Sequence, residues 1–229
     1  MHILLYDLAG ADGRRFSPAC WRTAMALCHK GLAYESRATH FTQIAKIGAG
    51  NRTVPVIEDK GELIGDSWQI AEYLEEHYPE RPSLFGGPTG KALAQFVQNW
   101  TIAAMHGPIF RMIVADIHAM LAPADKVYFR ESREERLGRN LEAVQSERDQ
   151  LLPAFRAGLA PLRITLQSQS FLGGSQPSYA DYLPFGALQW ARACSPYRLL
   201  EEDDPVLAWF RRCLDLYDGR GRQAPGHWA

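Results

Sequence analysis

The feature that most constrains this chain is a change of hydrophobic period at ERPSLFGGPTG (80–90). Ahead of this Pro- and Gly-rich stretch, short apolar runs alternate with amphipathic helical patterns. Beyond it the apolar spacing stays close to that of a helix, with no strand-like alternation and no internal repeat. The two parts therefore need different architectures. The spacing predicts an α/β domain over residues 1–80, a linker over 81–90 and an all-helical domain over 91–229.

Within the first part, HILLYDL (2–8) reads as a buried strand. FSPACWRTAMALCHKG (16–31) reads as a helix, with Ser17 suited to the N-cap and Pro18 to the first turn, where its missing N–H costs nothing. Gly31 suits the left-handed residue that closes it. YESRA (34–38) is a second strand, and residues 39–53 are expected to form a loop with one helical turn. VPVIED (54–59) and ELIGD (62–66) read as strands joined by a tight DKG turn, and DSWQIAEYLEEHYP (66–79) as a second helix. In the second part helices are expected over 91–121, 128–152, 153–168, 178–194 and 205–217, with Ser178 and Asp181 of SYAD as a capping box.

Composition narrows the function classes. Of 229 residues, 46% are hydrophobic and 22% charged, which suits a globular protein with a sizeable core. A net charge of −1 gives no bulk attraction to nucleic acid or anionic membrane. RESREER (130–136) interleaves acids with bases and reads as a solvated helix face. No run approaches the roughly 18 apolar residues of a membrane span, and MHILLYDLAGADG lacks the pattern of a signal peptide. Cys20, Cys28, Cys194 and Cys213 form no CxxC pair or compact framework, so free thiols in a reducing cytoplasm are expected. The seven histidines show no metal-ligand spacing, and no metal is expected.

Chemistry concentrates at two helix starts. Ser17 and Asp66-Ser67 each open a helix, and helix N-termini offer unpaired N–H groups and a partial positive charge. If the two converge, the cleft suits a ligand carrying carboxylates and an ionisable thiol. A free thiol has a pKa of about 8.5, and a hydroxyl donating to the thiolate lowers that value. Ser67 with its amide would hold one carboxylate, and Asp66 would accept from an α-amino group. Pro55, with a cis bond, would turn the Val54 backbone outward to pair with a peptide like an added strand. Each feature also has a plain reading: Ser17 as a simple cap, Pro55 as an edge-strand proline and Asp66-Ser67 as an ordinary helix start. Cys20, on the apolar stripe with Cys28, reads as a packed thiol.

SPACWR (17–22), VPVI (54–57), the DS-x-x-I-A-x-Y-L stretch (66–74) and SYAD (178–181) together resemble the cytosolic glutathione transferases. NW (99–100), GPIFR (107–111), D-x-H (116–118), SRE (132–134), FLGGSQPSYADY (171–182), EEDDP (201–205) and DLYDGRGR (215–222) are similar to the β-aryl-etherase branch and its fungal etherase-related cousins. The resemblance implies a thioredoxin-like N-terminal domain, a helical-bundle C-terminal domain and glutathione as co-substrate. It gives Ser17 the thiolate-stabilising role, Val54 the backbone pairing, Asp66 and Ser67 the γ-glutamyl contacts, and His40 and Arg52 the glycyl end. Trp100, Met105, Pro108 and Phe110 are expected to line the acceptor pocket. The resemblance further implies a cytoplasmic homodimer acting on hydrophobic aromatic electrophiles. Serine where disulfide-exchanging relatives carry cysteine argues against mixed-disulfide chemistry. The other readings are a non-catalytic ligandin and a maleylacetoacetate-type isomerase, whose serine also lies four residues before a tryptophan. His106, ahead of the GP pair, departs from the etherase pattern.

Overall fold

A computed structural model describes residues 2–229. The first part forms a four-stranded sheet from β1 (Ile3–Leu8), β2 (Tyr34–Thr39), β3 (Val56–Asp59) and β4 (Glu62–Gly65), in the order β2-β1-β3-β4. β1 and β2 run parallel, joined through α1 (Pro18–His29), whereas β3 is antiparallel to β1 and β4 to β3. The β3–β4 hairpin turns on Lys60 and Gly61, both at positive φ (53° and 87°), the backbone that suits the twist of a tight hairpin. β3 pairs from Val56 rather than Val54, because Pro55 has no N–H to give the ladder. The loop before it contains a 3₁₀ segment, Phe41–Lys46. α2 (Ser67–His77) completes this thioredoxin-like unit, burying Ile70, Ala71 and Leu74 fully.

The second part is helical throughout the described residues: α3 (Pro88–Thr101), α4 (Gly107–Met120), α5 (Pro123–Leu137), α6 (Leu141–Gln145), α7 (Arg148–Gly158), α8 (Ala160–Thr165), α9 (Tyr179–Cys194) and α10 (Pro205–Gln223). Several expected helices are divided. The run 91–121 is interrupted by a π-helical segment, Ile102–His106. The run 128–152 breaks at Gly138, whose φ of 65° ends α5, and resumes where Asn140 caps α6. α10 holds non-helical backbone at Leu216–Gly219. None of these helices is long and apolar enough to cross a membrane.

α9 is the axis of the molecule, with every residue from Tyr182 to Cys194 buried. Its start is held by the expected box: the Ser178 N–H donates to Asp181 at 2.9 Å and the Asp181 N–H to the Ser178 carbonyl at 3.0 Å. Asp181 also accepts from the Leu172 N–H (2.7 Å) and the Trp209 indole (3.0 Å). α1 of the first part packs along α9 and comes close at Gly186, where a Cβ would lie 2.4 Å from the Pro18 carbonyl. All four cysteines are free, and Cys20 is fully buried.

Candidate active site

Sheet register brings the expected ligand residues to one edge. Leu8 at the end of β1 lies opposite Thr39 at the end of parallel β2. Val56 at the start of β3 lies opposite both Tyr6 and Gly65. The chain therefore leaves or enters this same edge at His40, Val54 and Asp66-Ser67, and returns to it at Ser17 after the turn that follows Leu8. Both helix starts face it.

At the first of them, Ser17 is 5% exposed and its Oγ accepts the Cys20 N–H at 3.2 Å. This separates the two roles of the hydroxyl. Capping uses its oxygen as acceptor and leaves the hydroxyl with a proton to donate, and accepting one bond strengthens the one it donates. Cys20 lies beneath the turn, where burial and Asp7 push its thiol up, the direction of an inert group.

At the second, Asp66 has φ 69° and ψ 127°, a conformation that costs a non-glycine residue about 1–3 kcal/mol. Two features hold it there. Its Oδ1 accepts the Trp68 and Gln69 N–H groups at 2.9 and 3.1 Å, leaving Oδ2 without a partner among the described residues, and the Tyr179 hydroxyl of α9 donates to the Ser67 carbonyl at 2.7 Å. The Val54–Pro55 bond is cis, and among the described residues the Val54 backbone N–H and C=O have no protein partner. Arg52 is exposed beside this loop. His40 is placed by a contact invisible in the sequence: buried Asp125 of α5 accepts the Phe41 and Thr42 N–H groups (2.8 and 3.0 Å) and lies 3.6 Å from His40 Nδ1.

Ser17 opens on a cleft of about 530 Å³ between the two parts. Its aromatic wall is Phe110, Phe129 and Trp190, with the Phe110 and Trp190 rings 6.2 Å apart and nearly parallel at 22°. Of the four residues expected there, only Phe110 lines it. Met105 is fully buried in the core, and Trp100 and Pro108 lie outside the lining. The row that faces the cleft is Ile102, His106 and Phe110, at i, i+4 and i+8 of the run, whereas Trp100, Met105 and Pro108 fall on other faces of it.

Three arginines belong to this region that sequence reasoning did not assign. Arg22 of α1 is 4% exposed and donates to His106 Nε2 at 2.7 Å. Burial and this guanidinium push His106 down to about 3, so its ring is neutral, Nε2 is the acceptor and Nδ1 carries the proton. RESREER is not simply a solvated face. Arg133 lies over the Phe129 ring at 5.0 Å and the Phe41 ring at 5.7 Å, Arg136 over Phe110 at 5.0 Å, and both line the cleft. The signal was present as Phe129, Arg133 and Arg136 at i, i+4, i+7, one face of a helix.

Comparison with known proteins agrees with this fold. Residues 13–82 match the glutathione S-transferase N-terminal domain and residues 92–214 the glutathione S-transferase C-terminal domain. The chain belongs to the glutathione S-transferase family. Among solved structures it is similar to glutathione S-transferase CsGST63524 of Ceriporiopsis subvermispora, determined in complex with glutathione, at 25% identity and a TM-score of 0.81, covering 98% of this chain and 99% of that one. It is also similar to glutathione transferase GSTFuA3 of Phanerochaete chrysosporium, at 28% identity and a TM-score of 0.77, over 96% and 93% of the two chains. A shorter likeness, 33% identity over 88 residues, is to maleylacetoacetate isomerase of Dictyostelium discoideum; it spans 34% of this chain and 40% of the isomerase.

Proposed function

We propose that this protein activates the thiol of glutathione through Ser17 and delivers the sulfur to a hydrophobic aromatic electrophile in the adjoining cleft. The observation that carries the reading is the Ser17 hydroxyl, which caps α1 as an acceptor, keeps a proton to donate and lines the aromatic cleft. In the etherase-like form, the thiol proton is lost to solvent and the sulfur bonds to the carbon beside a ketone. The aryloxide then leaves with the ether electron pair, giving a glutathionyl thioether. Glutathione would lie along the sheet edge, its backbone paired with Val54, its γ-glutamyl end at Asp66 Oδ2 and Ser67, and its glycyl end toward His40 and Arg52. The protein supplies thiolate activation and positioning.

The test is incubation of pure protein and glutathione with a β-aryl ether ketone and, separately, with 1-chloro-2,4-dinitrobenzene. Formation of either thioether supports the reading. No thioether from either, with no thiolate absorbance on mixing, overturns it. The Dictyostelium match favours an isomerase as the second reading; it requires maleylacetoacetate to isomerise with glutathione unconsumed.

A further inference from the structure

We infer that Arg133 and Arg136 select an acceptor bearing a carboxylate, so that this cleft takes aromatic acids rather than neutral aromatics. The inference rests on the transferase reading above and names its substrate class.

Among the neighbouring arginines, Arg130 pairs with Glu134 and Glu142 (2.6 and 2.7 Å), Arg139 with Glu147 (2.7 Å) and Arg111 with Glu147 (3.3 Å), while Arg22 across the cleft is held by neutral His106 at 2.7 Å. Among the described residues neither Arg133 nor Arg136 has an ion-pair partner. Arg133 donates to Ser132 Oγ at 3.0 Å, and both guanidinia otherwise lie on aromatic rings. Burial and the like charge of Arg136 push the Arg133 guanidinium down. Two unneutralised positive groups thus stand together at an apolar cleft in a protein of net charge −1, so the field is local to the site.

An arginine fork donates two parallel N–H bonds to a planar carboxylate, with a directionality that lysine lacks. The stacked Phe110 and Trp190 rings offer a flat apolar surface in the same space, and Ser17 lies on the same lining. One ligand meets all three demands: an aromatic ring whose electrophilic carbon reaches the sulfur and whose carboxylate reaches the arginines.

Two measurements separate this inference from the transferase reading. Calorimetry of 3,5-dinitrobenzoate and its methyl ester, which carry no leaving group, reads selectivity whether or not the protein turns over. The wild type is expected to bind the acid at least about tenfold more tightly than the ester, a preference that shrinks as salt rises. Arg133→Gln/Arg136→Gln removes that preference. Arg136→Gln alone, at an exposed position, reduces it and serves if the double variant does not fold. An acid no better bound than its ester, or a preference unchanged in the variants, overturns the inference. So does a parallel fall in glutathione affinity, which would place the guanidinia on the glycyl carboxylate of glutathione. Turnover of 4-chloro-3,5-dinitrobenzoate, with chloride leaving as the sulfur–carbon bond forms, is scored separately. Its absence bears on the transferase reading and leaves the acid-to-ester ratio standing.

Discussion

Gly186→Ala tests whether packing between the two parts positions the hydroxyl. The new methyl would lie 2.4 Å from the Pro18 carbonyl oxygen and 3.2 Å from Arg22 Cγ. An unstrained carbon–oxygen contact is about 3.3 Å or more, so the start of α1 must retreat from α9 by about an ångström. The obstacle is backbone, which cannot rotate away. Overpacking of this kind costs about 1–3 kcal/mol, partly offset by up to about 1 kcal/mol of helix propensity gained over glycine. A net loss of about 1–2 kcal/mol lowers Tm by roughly 2–8 °C in a chain of this size. Ser17 precedes Pro18, so the hydroxyl moves with it, and a misplacement near 1 Å costs up to about 100-fold in rate. The assays are thermal unfolding by calorimetry and kcat/KM with glutathione and a chloro-aromatic. An increase in Tm with wild-type kcat/KM would show that α9 does not set the position of Ser17.

Asp7 is buried and its carboxyl is raised to about 6 by desolvation, against the pull of Arg15 and Ser36. The folded state therefore holds this proton more tightly than the unfolded one, and stability falls as pH rises from about 4 to about 6. A shift of this size is worth up to about 3 kcal/mol at neutral pH, so Asp7→Asn should raise Tm at pH 7.5 and bring no gain at pH 4; equal gains at both would refute the assignment. Asp181→Ala leaves the Leu172, Gly173, Ser178 and Trp209 donors unpaired in the interior. At about 1–3 kcal/mol for each buried unpaired donor, Tm should fall by more than about 8 °C; a smaller fall would show that water replaces the carboxylate. Cys20→Ala should keep kcat/KM within about threefold, as expected of a packed thiol, and loss of turnover in this variant would make Cys20 part of the chemistry.

What was legible in the sequence was local. Ser17-Pro18, Asp66, the SYAD box and the Lys60-Gly61 turn declare themselves because the side chain that makes the structure lies within three residues of the backbone it serves. The four strands followed from run length and turn residues, and their thioredoxin-like arrangement from the family resemblance. The acceptor side did not follow, because apolar residues lie on several faces of the 91–121 run and packing against α5 and α9 decides which face meets the cleft. Arg22 with His106, and Asp125 with Phe41, join residues 84 positions apart, which no spacing rule connects. RESREER reads as a solvated face because its interleaved acids mask the two arginines, Arg133 and Arg136, that lie over Phe129 and Phe110.

The central claim is that the Ser17 hydroxyl holds a borrowed sulfur as its thiolate. Titration of glutathione bound to the protein, followed by thiolate absorbance against pH, tests it directly in wild type and Ser17→Ala. The account predicts a bound thiol at least about one unit below its free value of about 8.5 in the wild type, returning most of the way in the variant. The same depressed value in Ser17→Ala would contradict it and assign activation to the helix terminus alone.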